Sequence, residues 1–432
     1  MMSYSKPVFL LLQASSAAQL SRQDPKMRYK ALSLQSEAFS AVRTEIASLR
    51  GSIVSDELML SCIIAGLTSS WYDVNDIGSS HVLGSQVLLS LWLASKSSLL
   101  KYHETFILGA YVYWLAISAF VTGDPKSSFH FQEALQQTLC NMKMSHDIVD
   151  DTKVPDSYRR IFPHPLTGFS MQTIICVGKV GSLCRVAHNE TVQSLQAFPL
   201  LGSDRQENLE KKARAVEQEL LGLLQTRQAN FQDPQDSQTT IDEILIVGEA
   251  NRCAGLLQLY MTFPRLLQEQ LLDLSHKEND SWEENLLFEL YTQEVTSGNG
   301  FTPSQHNWLR GLAFHILSLL ETIPPTSGTR VLQGLPVLIA ATWLVDSIND
   351  GITAQTPLDH PRLPLRRSSK SKEDWREIVR DGLRMHAEYV GLQQVSRILE
   401  IVEEVWRRDD EGKGKCHWIV VVASMGLQTL YG

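Results

Sequence analysis

The sequence predicts an all-α fold, a single large helical domain running through residues 1–432. Two observations carry this prediction. Apolar residues recur at three- and four-residue steps in one segment after another, the spacing that places them on one face of a helix. Only residues 418–423, Trp-Ile-Val-Val-Val-Ala, read as strand, because β-branched side chains suit an extended chain. The apolar fraction of 43% and charged fraction of 20% suit a globular chain with a sizeable core. There is no internal repeat to suggest a solenoid.

Taken in order, Lys6 and the apolar run at 8–12 form a first core helix. The run falls short of the roughly seven to fifteen residues of a secretory h-region. Residues 105–123 carry no charge and approach the ~20 residues needed to cross a bilayer. They include Thr, Ser and Gly and lie among helices of similar character, so they read as a buried core helix. Leu209, Ala213, Val216, Leu220 and Leu223 make the most regular amphipathic stripe in the chain.

Thr240 and Glu243 have the form of a capping box, in which the hydroxyl accepts an exposed N–H and the carboxylate reaches back to the cap. Pro264 ends or kinks the helix before it. A helix over 307–323 stops at Pro324, Pro325 and Gly328. Residues 332–346 are apolar all round and belong at the centre of the fold. In 397–411, Ile398, Ile401, Val402, Val405 and Trp406 share one face, opposite Glu400, Glu403, Glu404, Arg407 and Arg408.

Two stretches read as loops. Residues 152–165 contain Pro155, Pro163 and Pro165. Residues 353–372 contain Pro357, Pro361 and Pro364 with a basic run of Arg362, Arg366, Arg367, Lys370 and Lys372. That second loop exceeds the usual helix connection. Its basic run reads either as a nuclear localisation signal or as solvated surface.

The net charge of −9 opposes a broad DNA-binding surface, which is normally basic. The six cysteines are scattered, mostly in apolar helical text, and no two are spaced as zinc ligands. They read as reduced core residues, and no metal site is expected. His103, His146, His164, His306, His315 and His386 are isolated; no His-Glu-x-x-His, nucleophile elbow or phosphate loop occurs.

One acidic cluster could carry chemistry. Asp147, Asp150 and Asp151 share a helix face, as carboxylates do that bind Mg²⁺ on a diphosphate, and His146 adjoins them. A second acidic segment, 346–350, could face them across a bundle. The plainer reading is a solvated helix end, since Lys153 and Pro155 close the segment. Trp92, Tyr111, Tyr113, Trp114 and Phe120 form an aromatic stripe that is either core or the lining of a ligand cavity between helices.

Four segments carry a family resemblance. They are ILEIVEEVWRRDDEG at 398–412, followed by Trp418 and Gly426; LMLSCIIAGLTSSWYDVNDIGSSHVLGSQVLL at 58–89; the HPLTG turn and helix at 163–185; and EANRCAGLLQLY at 249–260, with Asn251 where an aromatic is usual. In this order they resemble the helical regulatory domain of fungal-specific transcription factors, and the resemblance argues for a final helix at 418–423 against the strand propensity of its β-branched residues. The motifs specify packing and identify no chemistry. Members usually carry a zinc binuclear cluster, which needs six cysteines in a short basic segment, and none stands before Tyr29.

The resemblance implies a transcriptional regulator of fungal genes, such as a metabolic or secondary-metabolite gene cluster, acting in the nucleus. It implies a protein partner or homodimer, a small-molecule effector, no cofactor, no direct nucleic-acid binding by this chain and no membrane contact. The rival reading is a helical pocket protein, an enzyme or ligand carrier of a biosynthetic pathway. His146, Asp147, Asp150, Asp151 and the aromatic stripe would then be the suspects.

Overall fold

A computed structural model describes residues 5–49, 53–144, 161–196, 203–223, 231–278, 301–345, 363, 370–413 and 416–431. The described chain is all-α, apart from a short parallel pair, β1 (Leu99–Leu100) and β2 (Lys143–Met144). His146, Asp147, Asp150, Asp151, the 346–350 segment, Arg362, Arg366 and Arg367 lie outside the described residues, as does most of the 353–372 loop.

The chain opens with a helical hairpin, α1 (Lys6–Leu20) and α2 (Lys26–Ser48), packed on α3 (Asp56–Leu67). The apolar run at 8–12 is indeed the start of α1, with Val8, Leu10 and Leu11 buried. A short turn of helix, α4 (Ser69–Tyr72), leads to α5 (Ser79–Ala94). Next comes α6 (Tyr102–Ser118), the uncharged stretch of the sequence, buried continuously from Ile107 to its end. No described helix is long and apolar enough to cross a membrane. Gly66 on α3 is required by α6: a Cβ there would lie 1.9 Å from Cζ2 of Trp114.

The centre is built by α6, α7 (Pro125–Cys140), α8 (Met171–Gln196), α9 (Ser203–Gly222) and α10 (Ile241–Thr262). Ala213, Val216 and Leu220 of α9 are buried, as their spacing requires. Thr240 and Glu243 form the expected capping box at the start of α10. That helix ends at Thr262, and Pro264 opens α11 (Pro264–Glu278).

Then come α12 (Pro303–Glu321), a 3₁₀ turn (Gly328–Leu332) and α13 (Gly334–Ala341). Residues 338–341 and 343–345 are fully buried, which puts the apolar segment at the centre of the fold. The helix within it ends at Ala341. The Ala341 carbonyl accepts both Leu344 N, at 3.1 Å, and the Trp406 indole Nε1, at 2.8 Å, so it is spent on a tighter turn and a distant side chain.

A second hairpin, α14 (Lys372–Val390) and α15 (Gln393–Asp410), closes the body, followed by α16 (Trp418–Met425). Ile398, Ile401, Val402, Val405 and Trp406 all face inward from α15. The strand-like text at 418–423 is helical. His417 Nδ1 accepts Ile419 N at 3.1 Å to cap α16, and Trp418 Nε1 donates to Gln258 Oε1 at 2.8 Å. Burial of the whole turn outweighs the local preference of its valines.

Candidate functional site

A cleft lies where the two ends of the chain meet. Its volume is about 610 Å³. One wall is the turn between α1 and α2, with Arg22 and Arg28; the second is α4 and the 73–75 turn, with Trp71 and Asp73; the third is the α14–α15 corner, with Gln393. Gly391 makes that corner at φ 72°, a left-handed conformation that only glycine adopts without strain.

Hydrogen bonds hold the three walls. Arg22 Nη1 donates to Ala387 O at 2.9 Å, and Gln19 Nε2 to Val390 O at 3.2 Å. Arg397 of α15 donates to Val74 O at 3.2 Å, to Gln428 O at 2.7 Å and to Asn75 Oδ1 at 2.7 Å. Gln394 Nε2 donates to Ser70 Oγ at 2.8 Å beneath the floor. Arg28 has no acceptor among the described residues and stands exposed at the rim. The cleft therefore offers cationic and amide donors beside an aromatic ring. It can bind a polar or anionic molecule, and it contains no nucleophile paired with a base.

A smaller aromatic hollow of about 110 Å³ sits at the 163–169 turn, among Tyr102, Phe106, Phe162 and Phe169. His164 organises the turn. Its Nδ1 accepts Leu166 N at 3.0 Å and Thr167 N at 3.1 Å, so Nε2 carries the proton and donates to Phe106 O at 2.9 Å. Burial pushes its pKa down to about 4. This histidine is neutral and fully bonded, a fastening between the turn and α6. A Cβ at Gly109 would fall 2.6 Å from its ring.

Among the described residues, two side-chain clusters approach the composition of a metal site, Glu249 with Cys253 and His315, and Asp56 with His103 and Glu104. In both, protein donors already occupy the carboxylates. Arg252 grips both oxygens of Glu249, at 2.7 and 2.6 Å. Asp56 accepts Trp92 Nε1 at 2.8 Å and Lys96 Nζ at 2.5 Å, and Lys96 pairs with Glu104 at 2.9 Å. Burial works against the Asp56 carboxylate, yet the Lys96 and Trp92 bonds hold it below its usual range. A guanidinium or ammonium at the same oxygens disfavours a divalent cation by charge.

The remaining residues singled out by sequence fall as follows. Trp92, Tyr111, Tyr113 and Trp114 are buried, and neither of these two clefts is lined by them. Phe120 packs against Trp418, with ring centroids 5.8 Å apart. Lys370 pairs with Glu321 and lies 4.7 Å above the Trp375 ring, and Lys372 reaches Glu373 at 3.4 Å. Sequence reasoning missed the large cleft. Its residues share no periodic pattern, and only the closure of the chain ends brings them together.

The family model for the fungal specific transcription factor domain matches residues 1–432, and the chain belongs to that family. Its role is in transcription regulation. No curated protein and no solved structure matches it.

Proposed function

We propose that this protein regulates a set of fungal genes from within the nucleus, in response to a small molecule held in the cleft between its two ends. The supporting observation is the cleft's construction. Its walls come from α1–α2, α4 and α14–α15, so a bound molecule changes how firmly the N-terminal hairpin is held to the C-terminal helices. Arg28 and Arg22 favour an anionic effector, and a metabolic or secondary-metabolite gene cluster is the proposed target. Protein contacts carry the response onward.

The test is the transcript profile of a fungal strain deleted for the gene, beside one carrying Arg28→Ala. A coherent gene set should shift on deletion, and Arg28→Ala should blunt its response to the inducing condition. Unchanged transcripts with one missing metabolite and an accumulated precursor would reject this reading. Such a result would favour the enzyme or ligand carrier, for which the same cleft would be the binding site.

A further inference from the structure

The cleft between the two chain ends carries charges of both signs, and among the described residues they are not paired with one another. Arg28 stands at the rim without an acceptor, and Arg22 spends Nη1 on Ala387 O at 2.9 Å. Asp73 lines the same cleft from the turn after α4. Its Oδ1 accepts Asn75 N at 3.0 Å, and no described residue donates to its Oδ2.

The acceptor is held in place. Arg397 donates to Val74 O at 3.2 Å and to Asn75 Oδ1 at 2.7 Å, so the Asp73 carboxylate sits on a braced turn. The bond to Ala387 steadies Arg22 in the same way. Groups fixed beforehand lose little freedom when a ligand arrives. Ala18, Ala31 and Leu32 line the cleft together with Trp71, and the indole packs against the two alanines. This apolar strip suits a flat ring, which stacks favourably on an indole.

We propose that the cleft takes a zwitterion carrying an aromatic ring, the chemistry of an aromatic amino acid. Its carboxylate lies at Arg28 and Arg22, its ammonium at Asp73 Oδ2 and its ring along Trp71. This narrows the effector reading above, on which it rests. A plain anion meets the arginines but is repelled by the Asp73 carboxylate, and a plain cation meets Asp73 but is repelled by the arginines. A molecule with both charges satisfies both walls, and the repulsion of the other two is what gives selectivity. The volume of about 610 Å³ lies within the range of small-molecule sites.

The test is isothermal titration calorimetry of the full chain with three probes that share one ring: L-tryptophan, 3-indolepropionate and tryptamine. The native protein should bind L-tryptophan at least about tenfold more tightly than either of the others. In Asp73→Asn the amide oxygen still accepts Asn75 N, so the turn is kept. That variant should bring L-tryptophan and 3-indolepropionate within about twofold of each other. Arg28→Gln should do the same for L-tryptophan and tryptamine. Both residues are exposed, so each variant should melt within about 2 °C of native without ligand. If the native chain binds 3-indolepropionate as tightly as L-tryptophan, the zwitterion is overturned and an anionic effector is left standing. Binding of none of the three probes, or a preference for L-tryptophan that survives Asp73→Asn, would overturn it as well. The regulatory reading is decided separately, by the transcripts of the deleted strain.

Discussion

Arg22 Nη1 donates to the carbonyl of Ala387 at 2.9 Å, tying the turn after α1 to the last turn of α14. Gln19 makes a parallel bond to Val390 at 3.2 Å. These two bonds join the N-terminal hairpin to the C-terminal helices across the cleft. The Gln19→Ala/Arg22→Ala double variant should lose about 1–2 kcal/mol. Its amide exchange should rise in α1 and at residues 387–391, with the protein's centre unchanged. Uniform protection in both regions would show that the bonds do not hold the hairpin.

Trp406 ties α15 to the end of α13. Its indole donates to Ala341 O, and its ring is buried. Trp406→Phe keeps most of the volume and loses the bond; because Leu344 N still satisfies that carbonyl, the cost should be about 1 kcal/mol. Trp406→Ala also leaves a cavity and should cost about 3–5 kcal/mol. Denaturant titration separates the two. Equal losses would mean the indole nitrogen, not the ring, carries the contact.

Arg252 on α10 is fully buried and is neutralised by Glu249 one turn earlier. Arg252→Met leaves that carboxylate without its main partner and should cost about 3–5 kcal/mol. Adding Glu249→Leu to the same chain removes the stranded charge and should restore most of the loss. A double variant as unstable as Arg252→Met would mean that the guanidinium acts through its bond to Leu220 O, at 3.1 Å.

Glu217 on α9 supplies a pH dependence. It is 2% exposed and faces Tyr260 of α10 and Glu269 of α11, near the Arg214–Glu269 pair. Burial, with Glu269 adding repulsion, pushes its pKa from 4.5 up to about 7. Between those values the unfolded chain has released the proton and the folded chain keeps it. Stability contributed by this group is therefore full below about pH 4.5 and is lost as pH rises to about 7. The loss is on the order of 3 kcal/mol. Glu217→Gln should flatten this slope and be the more stable chain at pH 8. Parallel stability–pH curves for the two proteins would refute the assignment.

Helix positions and their buried faces were legible in the sequence because periodicity is local. The stripe of α9, the inward face of α15 and the cap of α10 each follow from residues within a few turns of one another. The 418–423 segment needed the family resemblance, since its valines favour strand and only its burial beside Gln258 makes it helical. The end of α13 was not legible at all. It depends on an indole 65 residues further along the chain.

The sequence alone determined the class of fold, the family and the core, because burial of apolar faces spaced for a helix leaves few other solutions. Tertiary structure alone decided the sites. The cleft joins Arg22 and Arg28 to Trp71 and Gln393, residues from opposite ends of the chain that no spacing connects. It also decided which side of α5 faces water. That helix is apolar on both faces, so periodicity could not say which would be buried against α3 and α6 and which left exposed.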